Sequence, residues 1–138
     1  ISRFNLSLRE KYGLVYQIEA TFSSFLDVGF FGIFFGTDPQ NREKAIKLVY
    51  KEMDLLRTKK LGGIQLKTLK DQIKGQLAMS EESKQGYMLM MAKNLLDQNR
   101  IDSIGEIFNS IDLITADQLI DLSNEMFDRK MLSCLIYT

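Results

Sequence analysis

Arg9-Glu10-Lys11-Tyr12-Gly13-Leu14-Val15-Tyr16 is where a helical pattern stops at a glycine and gives way to a strand. Upstream, Phe4, Leu6 and Leu8 lead into it, and residues 3–11 read as a short helix or its last turns. Gly13 is the expected stop, because glycine accepts the positive φ that a helix end often needs. Lys11 falls in the last turn, where a cation suits the helix dipole. Downstream, Leu14, Tyr16, Ile18, Ala20 and Phe22 alternate with Val15, Gln17, Glu19 and Thr21. That period of two predicts a strand over residues 14–22 with one wet face. Residues 23–27 read as a loop. Residues 28–36 read as a second strand, apolar on both faces, which predicts a central place in its sheet. Gly29, Gly32 and Gly36 weaken that strand and point to bulges or close packing. The short connection predicts an antiparallel hairpin.

Helical patterns follow. Asp38 is placed to cap the first long helix, with Pro39 at its first position. Ala45, Leu48, Val49, Met53 and Leu56 then form one core-facing stripe. Lys59 and Lys60 read as a solvated helix end. Residues 65–79 carry Leu66, Leu69, Ile73 and Leu77 on one face. Gly75 inside them implies close helix packing or a bend. Ser80-Glu81-Glu82-Ser83 is a candidate interruption before a segment with Tyr87, Met88, Met91 and Leu95. Its methionines read first as core filler and second as an adaptable binding groove. Ser103-Ile104-Gly105-Glu106 and Thr115-Ala116-Asp117-Gln118 are two capping boxes, the second with Ile114 and Leu119 as a hydrophobic staple. Residues 132–137 close the chain as an apolar strand. Clustered helices between strands predict an α+β fold: an antiparallel sheet with helices packed on one face. No linker or repeat divides residues 1–138, which read as a single partial domain.

Composition narrows the function. The 138 residues are 45% apolar and 26% charged, with no net charge. That balance gives no basic field for nucleic acid, and the apolar runs are too short to cross a membrane. There is no histidine, so the commonest general base and metal ligand are missing. A zinc site built on this chain would need carboxylates almost alone. The single cysteine, Cys134, reads as a small buried hydrophobe. Glu81 and Glu82 are helix neighbours pointing in different directions, so they read as solvated surface rather than a catalytic pair. Gly62-Gly63 lacks the Lys-Ser/Thr partner of a phosphate loop. From the residues alone this is an α+β domain without a self-contained active site.

The order of its motifs resembles the non-zinc half of the insulinase (pitrilysin, mitochondrial processing peptidase) family of zinc metallopeptidases. The resemblance is carried by Ser2-Arg3-Phe4 through Arg9-Glu10-Lys11-Tyr12-Gly13-Leu14-Val15-Tyr16. Phe34-Phe35-Gly36-Thr37, Lys74-Gly75-Gln76-Leu77 and Ile114-Thr115-Ala116-Asp117-Gln118-Leu119 extend it. It implies a metallohydrolase-like domain, expected to be incomplete at the N-terminus, since Ile1 opens inside an element. It also implies the substrate-holding half of a zinc endopeptidase, inactive alone. The zinc is expected only in a partner domain bearing an inverted H-x-x-E-H motif, on the same chain or on another subunit. The alternative is a non-catalytic structural or peptide-binding subunit of a processing-peptidase-like complex. The expected partners are that zinc half, a peptide and further copies of the chain.

The resemblance assigns substrate holding to an arginine and a tyrosine seven residues apart, here Arg9 and Tyr16. Arginine is a planar, permanently charged donor suited to a peptide carbonyl or carboxylate. A tyrosine hydroxyl donates to a carbonyl near the scissile bond or to its developing oxyanion. Without the resemblance, Arg9 reads as a solvated helix-end charge and Tyr16 as one residue more on an apolar strand face. On that face its hydroxyl has to emerge at the strand's start or edge.

Overall fold

The computed structural model describes residues 3–81 and 83–137, and its first element, Asn5–Lys11, is a π-helix. The Tyr12 N–H reaches back to the Ser7 carbonyl at 3.2 Å, the five-residue span of a π turn. Gly13 then takes φ +58°, and the Leu14 N–H folds back onto the Leu8 carbonyl at 2.9 Å. The glycine stop expected from the sequence is the one that forms.

The chain continues into β1 (Gln17–Ser24) and β2 (Gly29–Gly36), an antiparallel hairpin. Its register pairs Ile18 with Phe35, Ala20 with Ile33 and Phe22 with Phe31 on one face. Gln17, Glu19, Thr21 and Ser23 oppose Gly36, Phe34, Gly32 and Phe30 on the other. The first face is covered. Phe4 and Leu8 of the N-terminal segment, Val15, and Ala45, Val49 and Met53 of the following helix bury Ile18, with Phe31, Ile33 and Phe35 packed alongside. Phe127 closes this core, its ring 5.3 Å from that of Phe31. The result is the expected α+β arrangement, with helices on one face of an antiparallel sheet.

Two strand expectations change. Among the described residues β2 has β1 as its one strand neighbour, so it is not central there. Its outer-face rings, Phe30 and Phe34, are 53% and 56% exposed and flank Gly32. Residues 132–137 form no ladder, because a strand exists only where a neighbouring edge takes up its N–H and C=O groups. Cys134 is correspondingly exposed rather than buried.

The helix after the hairpin opens with a single 3-10 turn, Pro39–Asn41, and continues as α1 (Arg42–Thr58). Its buried stripe is the one the sequence marks, with one addition. Glu52 is buried among Val49 and Met53, where it accepts hydrogen bonds from Arg3 Nε at 2.7 Å and Ser7 Oγ at 2.8 Å. Burial by itself would raise the Glu52 pKa, but the Arg3 and Ser7 hydrogen bonds and the Arg3 charge hold it below the usual carboxylate value. This carboxylate fastens the N-terminal segment to α1.

The described chain divides into two compact units. The one above comprises the stretch up to Lys59 and the stretch from Ile120; the second runs from Lys60 to Leu119. The second contains α2 (Gly63–Glu81), α3 (Lys84–Gln98) and α4 (Ile104–Leu113). A fifth helix, α5, spans Ala116–Met126. α2 ends at Glu81 and α3 begins at Lys84, with Ser83 capping α3 by accepting from the Gly86 N–H. The Glu81–Glu82 surface reading lies outside the described residues. Both capping boxes form: Ser103 with Glu106, and Thr115 with Gln118. The Glu106 carboxyl is held below its ordinary pKa by the Ser103 backbone N–H and side chain. Met90 and Met91 are half-buried while Met88 is exposed, so the methionine run is only partly core. Gly75 meets nothing within 4 Å of where a Cβ would stand, so close packing is not its reason.

Two outcomes follow from this packing. Glu52→Gln is expected to cost about 2 kcal/mol at neutral pH, because Arg3 and Ser7 lose a charged acceptor. A lowered native pKa stabilises above the unfolded carboxylate pKa and ceases to do so as pH falls through the native value. The gap in urea midpoint between wild type and Glu52→Gln is therefore expected to be full above about pH 5 and to close in more acid solution. A gap that stays constant with pH would remove the ion pair from the account. Gly75→Ala, in an open helix interior, is expected to stabilise the second unit by about 0.5–1 kcal/mol on thermal unfolding.

Candidate functional site

The junction between the π-helix and β1 is held from below by two apolar anchors. Leu8 is completely buried and Val15 nearly so. Each is followed by a residue whose side chain turns outward: Arg9 after Leu8, and Tyr16 after Val15. In the extended segment this follows from the alternation of successive side chains. Tyr16 is 65% exposed. It stands at a bend just before β1, so the strict alternation expected from residue 14 does not hold. That bend removes the steric difficulty of an apolar-face tyrosine: Val15, not Tyr16, enters the core.

Arg9 is exposed on the last turn of the π-helix, and its carbonyl accepts the Gly13 N–H at 3.0 Å. Among the described residues no ion pair or hydrogen bond engages its guanidinium. Beside it, Lys11 Nζ sits 5.3 Å from the centre of the Tyr12 ring.

Tyr16 is gripped by the far end of β2. Its N–H donates to the Gly36 carbonyl at 2.8 Å. The Thr37 hydroxyl donates to the Leu14 carbonyl at 2.5 Å. The Tyr16 phenol donates to the Asp38 carboxylate. Three successive residues, Gly36, Thr37 and Asp38, thus hold the segment Leu14–Val15–Tyr16. The hydrogen bond to Asp38, with a little desolvation and the carboxylate charge, raises the phenol pKa. Ionising that phenol would place two negative charges side by side.

Sequence reasoning reached Arg9 and Tyr16 through the resemblance but missed Thr37 and Asp38. The signal was present in Thr37-Asp38-Pro39, where an aspartate before proline reads as a helix cap. Asp38 does occupy the cap position, yet its side chain makes no capping hydrogen bond. It is turned to Tyr16 instead. Among the described residues, no three or more cysteine, aspartate and glutamate side chains converge as metal ligands would. The sequence contains no histidine, the residue type that most often ligates zinc.

The family described as the peptidase M16 inactive domain matches residues 1–86. A zinc protease of Bacillus subtilis, YmxG, is 26% identical over 135 residues, covering 98% of this chain and 33% of that protein. A zinc protease of Rickettsia felis is 28% identical over 138 residues, covering 98% of this chain and 32% of its own length. The chain therefore spans about a third of the length of these curated relatives. Among solved structures, a chain of complex III2 from Candida albicans, bound to Inz-5, superposes with a TM-score of 0.78 at 20% identity. That match covers 89% of this chain and 29% of the other. At that identity the likeness is one of fold.

The junction's geometry makes Gly13 testable. A Cβ there meets nothing within 4 Å, so the cost of Gly13→Ala is the positive φ alone. Gly13→Ala is expected to lower stability by about 1–2 kcal/mol in urea denaturation. An unchanged midpoint would show that the turn is not held at positive φ.

Proposed function

The chain belongs to the peptidase M16 inactive-domain family, and within that family we propose that it is the half that holds a peptide substrate. The zinc and the attacking water would come from a partner half. The observation that supports this reading is the contrast at one junction. Arg9 and Tyr16 reach solvent from a backbone clamped by Leu8, Val15, Gly36 and Thr37, so both side chains are presented on a rigid base.

The chemistry of the two is complementary. The Arg9 guanidinium offers several N–H donors in a planar fork, and it suits a peptide carbonyl or terminal carboxylate. Tyr16 adds a hydroxyl that bonds the peptide backbone near the bond to be cut. Neither residue activates water, so the role is binding and orientation, with hydrolysis left to the partner. The exposed Phe30 and Phe34, and an edge of β2 that no strand pairs among the described residues, support association with that partner or with further copies of the chain.

A non-catalytic subunit is the second reading. The fold likeness to a chain of complex III2 favours it, because that chain shares this architecture within a large assembly. The two readings diverge in one assay. With an H-x-x-E-H-bearing M16 half supplied, Arg9→Ala and Tyr16→Phe are each expected to lower kcat/KM for a fluorogenic peptide about ten-fold. Unchanged kinetics in both variants would rule out the substrate-holding roles. Failure of the wild-type chain to support any cleavage would favour the non-catalytic subunit.

A further inference from the structure

Asp38 lies where a helix cap is expected, just before Pro39, and a capping aspartate ordinarily accepts a hydrogen bond from the first turn. Here that bond is absent, and the carboxylate takes the Tyr16 phenolic hydrogen instead. Giving up a cap costs about 1 kcal/mol, so the alternative contact has to offset it. A charge-assisted O–H···O⁻ bond is strong enough to do so. The contact also spans 22 positions of sequence, joining the start of β1 to the start of the helix after β2. Its neighbours reinforce it: Thr37 fixes the Leu14 carbonyl, and Gly36 takes the Tyr16 N–H. The Tyr16 ring also lies against Gly36, where a Cβ would stand in ordinary van der Waals contact 3.8 Å from Tyr16 Cδ2.

From this geometry we infer that Asp38 is the positioning residue of the peptide-holding site, acting through Tyr16 and not on the peptide itself. The inference rests on the substrate-holding reading above. The phenol has one hydrogen, and in the free chain Asp38 holds it. A peptide N–H meets the remaining lone pairs of the Tyr16 oxygen directly. A peptide carbonyl reaches the phenolic hydrogen only by displacing the carboxylate. Asp38 therefore sets both the direction of the Tyr16 side chain and the backbone group it receives first.

Two measurements on the full chain test this. The first uses no peptide: tyrosine labelled with carbon-13 at the ring Cζ is followed by NMR as pH rises. In wild type, Tyr16 (assigned by its loss in Tyr16→Phe) is expected to titrate above the ordinary tyrosine range, and in Asp38→Ala to return to it. The second is fluorescence anisotropy with a fluorescein-labelled, unstructured casein peptide. Asp38→Ala is expected to weaken binding about five-fold, as much as Tyr16→Phe, with no further loss in the double variant. Asp38→Asn, which keeps an acceptor oxygen, is expected to recover part of the loss and shows that the fold survives. An equal loss from Asp38→Ala with and without the Tyr16 hydroxyl would overturn the assignment, as would an unmoved Tyr16 titration. Binding unchanged in Tyr16→Phe would instead overturn the peptide-holding reading, and the titration alone would then decide the Asp38–Tyr16 coupling.

Discussion

Leu8 has no contact with solvent, and the rest of the junction depends on that burial. It shares one buried core with Val15 and Ile18 and with Ala45, Val49 and Met53 of α1. Removing a leucine side chain from water is worth about 1.5–3 kcal/mol, which makes it a large part of a marginal stability. Because Leu8 is fixed, the π-helix ends where it does. Because the π-helix ends there, Gly13 must turn the chain and Val15 must enter the same core. Arg9 and Tyr16 are what remain outside.

Polar contacts lock what the apolar core positions. Glu52 lies inside the α1 stripe and would be costly there alone. Arg3 and Ser7 satisfy it from the N-terminal segment, so the carboxylate ties that segment to α1 where Leu8 already presses it. Elsewhere in the same unit, α1 is tied to α5, with Asn124 Nδ2 donating to the Arg57 carbonyl at 3.1 Å. The junction is thereby held by burial from beneath and by the Arg3 and Ser7 hydrogen bonds to Glu52.

Local rules were the most legible part. The two capping boxes, the Gly13 stop, the hairpin and the α1 stripe each depend on residues close in sequence, and each formed as read. Residues 132–137 and Cys134 were misread because an apolar run says only that a strand is possible. Its burial depends on a neighbouring edge that the run itself does not encode. At Gly75 the structure removes close packing, one of the two readings, since a helix glycine is silent about what lies beside it.

At the site, the sequence by itself determined which residue types were available: an arginine and a tyrosine flanking a glycine turn, and no histidine with which to hold zinc. Its motif order also resembled the family whose model matches residues 1–86. Only the tertiary structure decided that Val15 rather than Tyr16 faces the core, and that Asp38 serves the phenol instead of the helix end. Both outcomes turn on contacts between segments more than twenty residues apart. A bend of one residue reverses which side chain is buried. A carboxylate with two possible donors takes the one that folding brings within reach.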